Sequence, residues 1–163
     1  MEITYEFVKE RFTYHPEGYL VWTKAANNQH SGKRAGYAKK DGYIYIDLFN
    51  NKKSVGAHRL IFLWHHAHLP PMLDHINRVK TDNRIENLRS ATPTQQNANK
   101  GINPRSATKY KGVEYEKGRN RYRARITIQG KVKNLGRFKT PEEAHAAYMK
   151  AAKDLFRDFA CAG

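Results

Sequence analysis

Apolar positions along this chain recur in short bursts, which predict many short elements rather than a few long ones. Tyr5, Val8 and Phe12 fall three and four apart after Thr4, a suitable N-cap, and predict a short helix over residues 4–13. Residues 14–19, with Pro16 and Gly18, have the chemistry of a turn, and residues 19–23 that of a strand. Residues 24–36 are polar, carry Lys33 and Arg34, and read as a loop. Asp41-Gly42 marks a turn, residues 43–48 a strand, Asn50-Asn51-Lys52-Lys53 a hairpin turn, and residues 54–57 its return. Residues 58–68 read as a helix stopped by Pro70-Pro71. Residues 73–75 predict a short strand, residues 77–83 a loop, and residues 88–91 a second short strand. Thr92, Pro93 and Gln95 then agree on a helix start, as N-cap, first helical residue and partner in a capping box, with Gly101 as the stop.

The remainder reads as a separate module. Residues 101–109 are polar and predict a linker. Strand-like runs follow at 112–116, 121–128 and 131–138, with Gln129-Gly130 as a tight turn. Thr140, Pro141 and Glu143 repeat the helix-start signature. Ala144, Ala147, Tyr148, Ala151 and Leu155 make one apolar face, whose small alanines would let the helix lie close to the sheet. The domains expected are therefore 1–100, a linker 101–109, and 110–163.

Charge sharpens this division. The 163 residues carry a formal net charge of +15, which points to a polyanionic partner, nucleic acid first. Residues 1–99 hold 14 Lys+Arg against 9 Asp+Glu, and residues 100–163 hold 16 against 6, so most of the excess lies in the second module. Cys161 alone builds neither a disulfide framework nor a cysteine-based zinc site. No apolar run approaches the roughly 20 residues of a membrane span. The N-terminus lacks the pattern of a secretory signal, and a soluble cytoplasmic protein is expected.

The densest chemistry lies in residues 73–89. A carboxylate, Asp74, stands beside an imidazole, His75; a polar loop follows, and Asn87 comes twelve residues after His75. Phosphodiester hydrolysis needs a nucleophilic water, a proton acceptor and charge neutralisation at the phosphate. A histidine with a pKa near ~6.5 can take the proton, and a hard divalent cation on oxygen ligands can stabilise the developing charge. With Ala57-His58-Arg59-Leu60 before it and Asn83-Arg84-Ile85-Glu86-Asn87-Leu88-Arg89 at its end, the stretch resembles the HNH endonucleases, most of all phage homing endonucleases with a ββα-metal site. The resemblance covers about residues 40–100. It implies His75 as general base, Asp74 as metal ligand, and Asn87 as the residue that braces the loop and orients His75. The family places a further ligand, often Asn or His, nine residues after the central asparagine; here that position is Gln96, with Asn97 next. Mg²⁺ is the cation implied, with Mn²⁺ as the alternative. His58 and His65 are seven apart on one helix face, but no recognised zinc spacing appears, so no structural zinc is expected; His58 is placed behind the site.

In the second module Arg119, Arg121, Arg123 and Arg125 alternate, which on a strand puts them on one face, with Tyr122, Ala124 and Ile126 on the other. Lys131, Lys133 and Arg137 add charge on the neighbouring strand. Tyr110-Lys111-Gly112-Val113, Leu135-Gly136-Arg137-Phe138 and the helix from Glu142 to Tyr148 are similar to the plant APETALA/ethylene-response-factor DNA-binding domain, over about residues 106–158. That resemblance implies a sheet laid in the major groove, with Lys111, Arg119, Arg121, Arg123, Arg125, Lys133 and Arg137 on DNA.

The fold expected is α+β: β-hairpins and a ββα-metal module, then a three-stranded antiparallel sheet packed on one helix. The function expected is a metal-dependent endonuclease on double-stranded DNA. A monomer with a single site addresses one strand at a time and so nicks most naturally. Phage infection of a host cell is the setting implied. Two other readings compete: a DNA-binding regulator that keeps the nuclease fold without cutting, favoured by Gln96, and an RNA-binding protein using Tyr and Arg stacking.

Overall fold

The computed structural model describes residues 2–23, 30–49, 53–104 and 106–162. Residues 24–29 of the expected loop, 50–52 of the expected hairpin turn and Arg105 of the expected linker lie outside them. The chain forms two compact units, Met1–Ser90 and Ala91–Gly163. Both mix helix with small antiparallel sheets, so the chain is α+β. Among the described residues no helix is long and apolar enough to cross a membrane.

The first unit opens with α1 (Tyr5–Arg11), capped by Thr4, whose hydroxyl accepts from the Phe7 amide at 3.2 Å. The next segment departs from expectation: Phe12–His15 is a strand, β1, paired with β2 (Tyr19–Trp22). The turn chemistry of Pro16 and Gly18 therefore occupies only the tip of a hairpin. A three-stranded sheet follows, with β3 (Tyr37–Ala38), β4 (Ile44–Leu48) and β5 (Lys53–Gly56) in that order. Helix α2 (Ala57–His66) buries Leu60, Ile61, Phe62 and Leu63 against Val8, Phe12, Leu20, Ile46 and Leu48. The pair β6 (Leu73–His75) and β7 (Leu88–Ser90) is fastened to this core by Leu73 and Leu88. A tight helical turn at Ile85–Asn87, not foreseen from the sequence, leads into β7.

The second unit begins with α3 (Pro93–Asn99), whose capping box is formed as its sequence predicts: Thr92 accepts from the Gln95 amide, and the Gln95 side chain accepts from the Thr92 amide at 2.8 Å. Strands β8 (Val113–Glu116), β9 (Arg121–Ile128) and β10 (Lys131–Phe138) form an antiparallel sheet with β9 central. Helix α4 (Pro141–Phe156) starts with the second capping box, Thr140 with Glu143, and lies on the sheet. Its buried residues are Ala144, Tyr148, Ala152 and Phe156. Leu155, expected on that face, is 45% exposed. The contact stripe follows the four-residue spacing of a helix lying along the sheet, so its lower half drifts to Ala152 and Phe156.

Two close approaches explain two glycines. Gly112, at φ +72°, lies where a Cβ would stand 2.1 Å from the Tyr148 ring. Gly18, at φ +85°, presses the β1–β2 hairpin against residues 83–84: a Cβ would stand 2.4 Å from the Arg84 nitrogen and 2.7 Å from the Asn83 carbonyl carbon. Those neighbours are backbone and cannot rotate away. Gly18→Ala should therefore destabilise the protein by about 2 kcal/mol or more, from combined strain and overpacking. Urea unfolding of the two proteins checks this; equal midpoints would refute the close approach.

Candidate active site and basic sheet face

The β6–β7 pair fixes the first part of the site. Its register sets Leu73 opposite Ser90, Asp74 opposite Arg89, and His75 opposite Leu88. Alternate strand residues face opposite sides. Leu73, His75 and Leu88 therefore share the core side, while Asp74 and Arg89 share the other. Asp74 is 7% exposed and receives both Nε and Nη2 of Arg89 on Oδ2, at 3.0 and 2.9 Å. A buried carboxylate needs such a partner to stay ionised. Arg89 thus gives the Asp74 carboxylate a cationic partner across the two strands.

His75, 6% exposed, bonds through Nε2 to Oδ1 of Asn83 at 2.9 Å. Asn83 is buried at 2% exposure. An amide oxygen only accepts, so Nε2 carries the proton and, in the neutral ring, Nδ1 carries the lone pair. Asn87 is bonded within the loop between the strands. Its side chain accepts from the Asn77 amide at 3.0 Å and donates to Asn77 Oδ1 at 2.9 Å and to the Asp82 carbonyl at 2.7 Å. Asn87 closes the loop between the strands, and Asn83 meets the His75 ring. Loop residue Asp82 is gripped by Arg84 at 2.8 and 2.7 Å and by Asn77 at 2.6 Å, with the Arg84 bond foremost in holding its carboxyl far below the usual range.

Behind His75 stand two aromatic rings. His58 lies 5.4 Å from His75 between centroids, edge to face, and Tyr43 lies 5.9 Å from His75 and 5.4 Å from His58. The Nδ1 of His58 is buried without a hydrogen-bond partner among the described residues. Burial, then His75 and Arg59, push the His58 pKa down to about 4. Burial, helped by Asp41 and Asp74, pushes the Tyr43 hydroxyl up. Both rings are therefore neutral at pH 7.

The donor set suits a hard cation. Asp74 supplies a held carboxylate oxygen, and no group of three or more His, Cys, Asp or Glu side chains is gathered for metal binding among the described residues. Any ion at Asp74 would complete its shell from amides, water and phosphate oxygens, which is the habit of Mg²⁺. Gln96, half-buried, and Asn97, exposed, both stand on α3, which belongs to the second unit. The Asn97 side chain accepts from Lys100 at 2.9 Å.

The basic residues of the second unit separate into distinct groups. Arg121, Arg123 and Arg125 alternate on β9, but Arg119 falls in a helical turn, Lys117–Arg119, ahead of the strand. Arg123 bonds Glu114 at 2.7 Å and Glu116 at 3.1 Å; Arg125 reaches Glu114 at 3.2 Å; Arg137 reaches Glu116 at 2.7 Å. The expected row of mutually repelling arginines is thus interleaved with acids. Lys111 is occupied elsewhere, its ammonium donating to the carbonyls of Ala98 and Lys100 at the end of α3. A β-bulge between Asn134 and Gly136 turns Leu135 into the core and shifts the phase of β10. Lys133 then pairs with Ile126, and Lys131 with Ile128, on the side opposite Arg123.

Asn83, Arg89, Glu114 and Glu116 are the partners that sequence reasoning did not assign. Arg89 had a usable signal, since an antiparallel pairing of the two predicted strands sets it opposite Asp74. The two acids were visible in β8, but not their pairing. Asn83 carried no periodic signal at all.

Acid stability should expose the buried His58. Its folded pKa near 4 lies below the unfolded value near ~6.5, so the unfolded chain binds more protons between those limits. Stability from this group is full above pH 6.5, falls as pH falls, and is lost below pH 4, a swing of roughly 3 kcal/mol. In His58→Phe the acid loss between pH 6.5 and 4 should shrink by about that amount. Denaturant midpoints across this range check it, and parallel curves for the two proteins would sink the assignment.

Comparison with known proteins finds a family likeness for one segment of this chain. Residues 55–98, from β5 through α3, match the HNH endonuclease family. An uncharacterized HNH endonuclease of Acanthamoeba polyphaga mimivirus is 34% identical over 128 residues, 76% of this chain and 64% of that protein. This chain therefore spans just under two thirds of that relative's length. A solved structure described as DNA binding and cleavage by the HNH homing endonuclease I-HmuI aligns at TM-score 0.42 with 26% identity, over 56% of this chain and 53% of that one. The family match falls on the segment whose hairpin holds Asp74, His75, Asn83 and Asn87, and by that segment the chain is similar to the HNH endonucleases.

Proposed function

We propose that this protein is a divalent-metal-dependent DNA endonuclease of the homing type, cutting one strand at a time. The observation that supports this most is the β6–β7 hairpin inside the family segment. There an acid and a base stand at successive strand positions, each buried and each held by its own partner, Asp74 by Arg89 and His75 by Asn83.

Asn83 holds the proton on Nε2 of His75, so the Nδ1 lone pair is the acceptor for a proton from water. The resulting hydroxide attacks phosphorus, the bond to the 3′ oxygen breaks, and that oxygen takes a proton from solvent water to become a 3′-hydroxyl opposite a 5′-phosphate. Asp74 would hold a divalent cation, which would supply Lewis-acid stabilisation of the charge developing at the phosphate; Gln96 is the helix-borne ligand that the family resemblance implies. His58 and Tyr43, both neutral, wall the imidazole from behind. The second unit is proposed as the DNA-binding module, with a sheet face of the APETALA/ethylene-response-factor kind. Arg119, Arg121, Arg123, Arg125 and Arg137 are its proposed DNA-facing residues, with Lys111 and Lys133 as further candidates for phosphate contact. A second reading is a DNA-binding regulator without cleavage, favoured by Gln96 where the family resemblance expects Asn or His.

Supercoiled plasmid with Mg²⁺ or Mn²⁺ separates the two. Nicking is expected, abolished by EDTA and reduced at least about 10²-fold in His75→Ala, within the usual contribution of a general base. Nicking that survives His75→Ala refutes the mechanism, and tight duplex binding without nicking favours the regulator. The Asp74 assignment has its own check. Arg89→Met leaves a buried carboxylate without its cation and should cost about 3–5 kcal/mol. Mn²⁺ should restore part of the lost melting temperature by binding Asp74. A variant whose melting temperature ignores Mn²⁺ would remove Asp74 as a ligand.

A further inference from the structure

The sheet face of the second unit carries a chain of alternating charges: Arg125, Glu114, Arg123, Glu116 and Arg137, every link an ion pair between 2.7 and 3.2 Å. Strand register builds it. Glu114 stands directly opposite Arg123 on β9, and Arg123 directly opposite Arg137 on β10. Three arginines and two glutamates leave a single net positive charge across the middle of the face. Around it on the same unit, Arg119 and Arg121 form no ion pair with an acidic side chain among the described residues, while Lys131 and Lys133 lie on the opposite side of the sheet. The module is therefore strongly basic overall, yet nearly neutral along the line where its arginines are best ordered.

That arrangement is a poor clamp for phosphate. A phosphate competing for Arg123 would replace carboxylates that already occupy both terminal nitrogens, and would come to rest beside two displaced negative charges. The glutamates stay ionised: hydrogen bonds from Arg123 to Glu114 and from Arg137 to Glu116 are the foremost causes holding their carboxyls low. A base edge meets no such penalty. Guanine offers the neutral acceptors O6 and N7 to a guanidinium fork, and its paired cytosine offers the N4 amino group to a carboxylate. Arg125 and Arg137, at the two ends of the chain with side chains 48% and 42% exposed, each stand beside a glutamate. Each end thus pairs a donor fork with an acceptor, the complement of one G·C pair seen from the major groove. An A·T pair offers a fork no such adjacent acceptors on one base. The ion pairs also hold the long arginine side chains in place before binding, which lowers the ordering cost on contact.

We propose that Glu114 and Glu116 are specificity-determining residues of the sheet face, which turn a general polyanion binder into a reader of G·C base pairs in duplex DNA. The proposal rests on the reading of the second unit as a DNA-binding module. The surrounding cations supply backbone affinity, and the alternating chain subtracts from it wherever no G·C edge is presented.

The test uses the full chain, its Glu114→Gln and Glu116→Gln single variants and the double variant, with thermal melting to establish that each is folded. Binding to two 20-base-pair duplexes, one G·C-rich and one A·T-rich, is titrated at two salt concentrations in EDTA. Wild type should prefer the G·C-rich duplex by about tenfold or more, as expected of a good bidentate contact. The double variant should bind both duplexes more tightly, with the ratio falling to within about threefold and a steeper salt dependence, because two repulsive charges near the backbone are gone. Each single variant should fall between. Equal affinity of wild type for both duplexes overturns the proposal, as does a preference that persists in the double variant. Folded variants that lose binding altogether overturn it too, since the acids would then serve only to build the face. Failure of the wild type to bind either duplex at low salt is a different result: it removes the DNA-binding reading itself.

Discussion

A carboxylate taken out of water has to be met by a cation, and the nuclease hairpin is built around that requirement. Asp74 is met by Arg89, directly across two three-residue strands. A slip of one residue in this register would part the two charges and turn Leu73, His75 and Leu88 away from the core they share. The ion pair and the leucine contacts therefore select the same pairing. Strands this short would not hold a register on backbone hydrogen bonds alone. Asn87 and Asp82 extend the control into the loop, where every bond they make shortens the set of paths the chain can take between β6 and β7.

The second unit solves its charge problem in the opposite way. Its arginines are exposed and could be left to water, yet two glutamates are threaded among them. Exposed ion pairs of this kind add little stability. Their effect is on order and on field: they fix where guanidinium groups point and lower the attraction of the face for any anion. The same residue types thus serve a buried hairpin in one unit and an exposed sheet face in the other.

What the sequence disclosed follows the range of the interactions involved. Both capping boxes could be read because all their parts lie within four residues, and all three strands of the second sheet could be read from alternation and turn chemistry. Asp74 and His75 stood out because motif and chemistry coincide there. Most contacts between distant segments were hidden, such as Gly18 against Asn83 and Lys111 on the end of α3, though His58 was expected behind the site. Two misplacements came from phase. One bulge moved Lys133 across the sheet, and a four-residue drift carried Leu155 out of the α4 contact stripe in favour of Phe156. Period alone does not reveal a bulge, because a single inserted residue leaves the residue types on either side unchanged.

Helix α3 carries Gln96, yet its C-terminal end is built into the basic module: Ala98 packs with Ile126, Tyr148 and Ala152, and Lys111 bonds its last carbonyls. For anyone dividing this chain, a cut near residue 100 would not fall between two self-supporting pieces. It would strip the helix of its packing partners and leave Ala98 bare, so any change seen in such a fragment would report a frayed helix as readily as the loss of the sheet. Swapping of recognition modules between relatives meets the same boundary: a transplant that keeps α3 with its own sheet carries its supports along, and one that starts at the polar stretch after it does not.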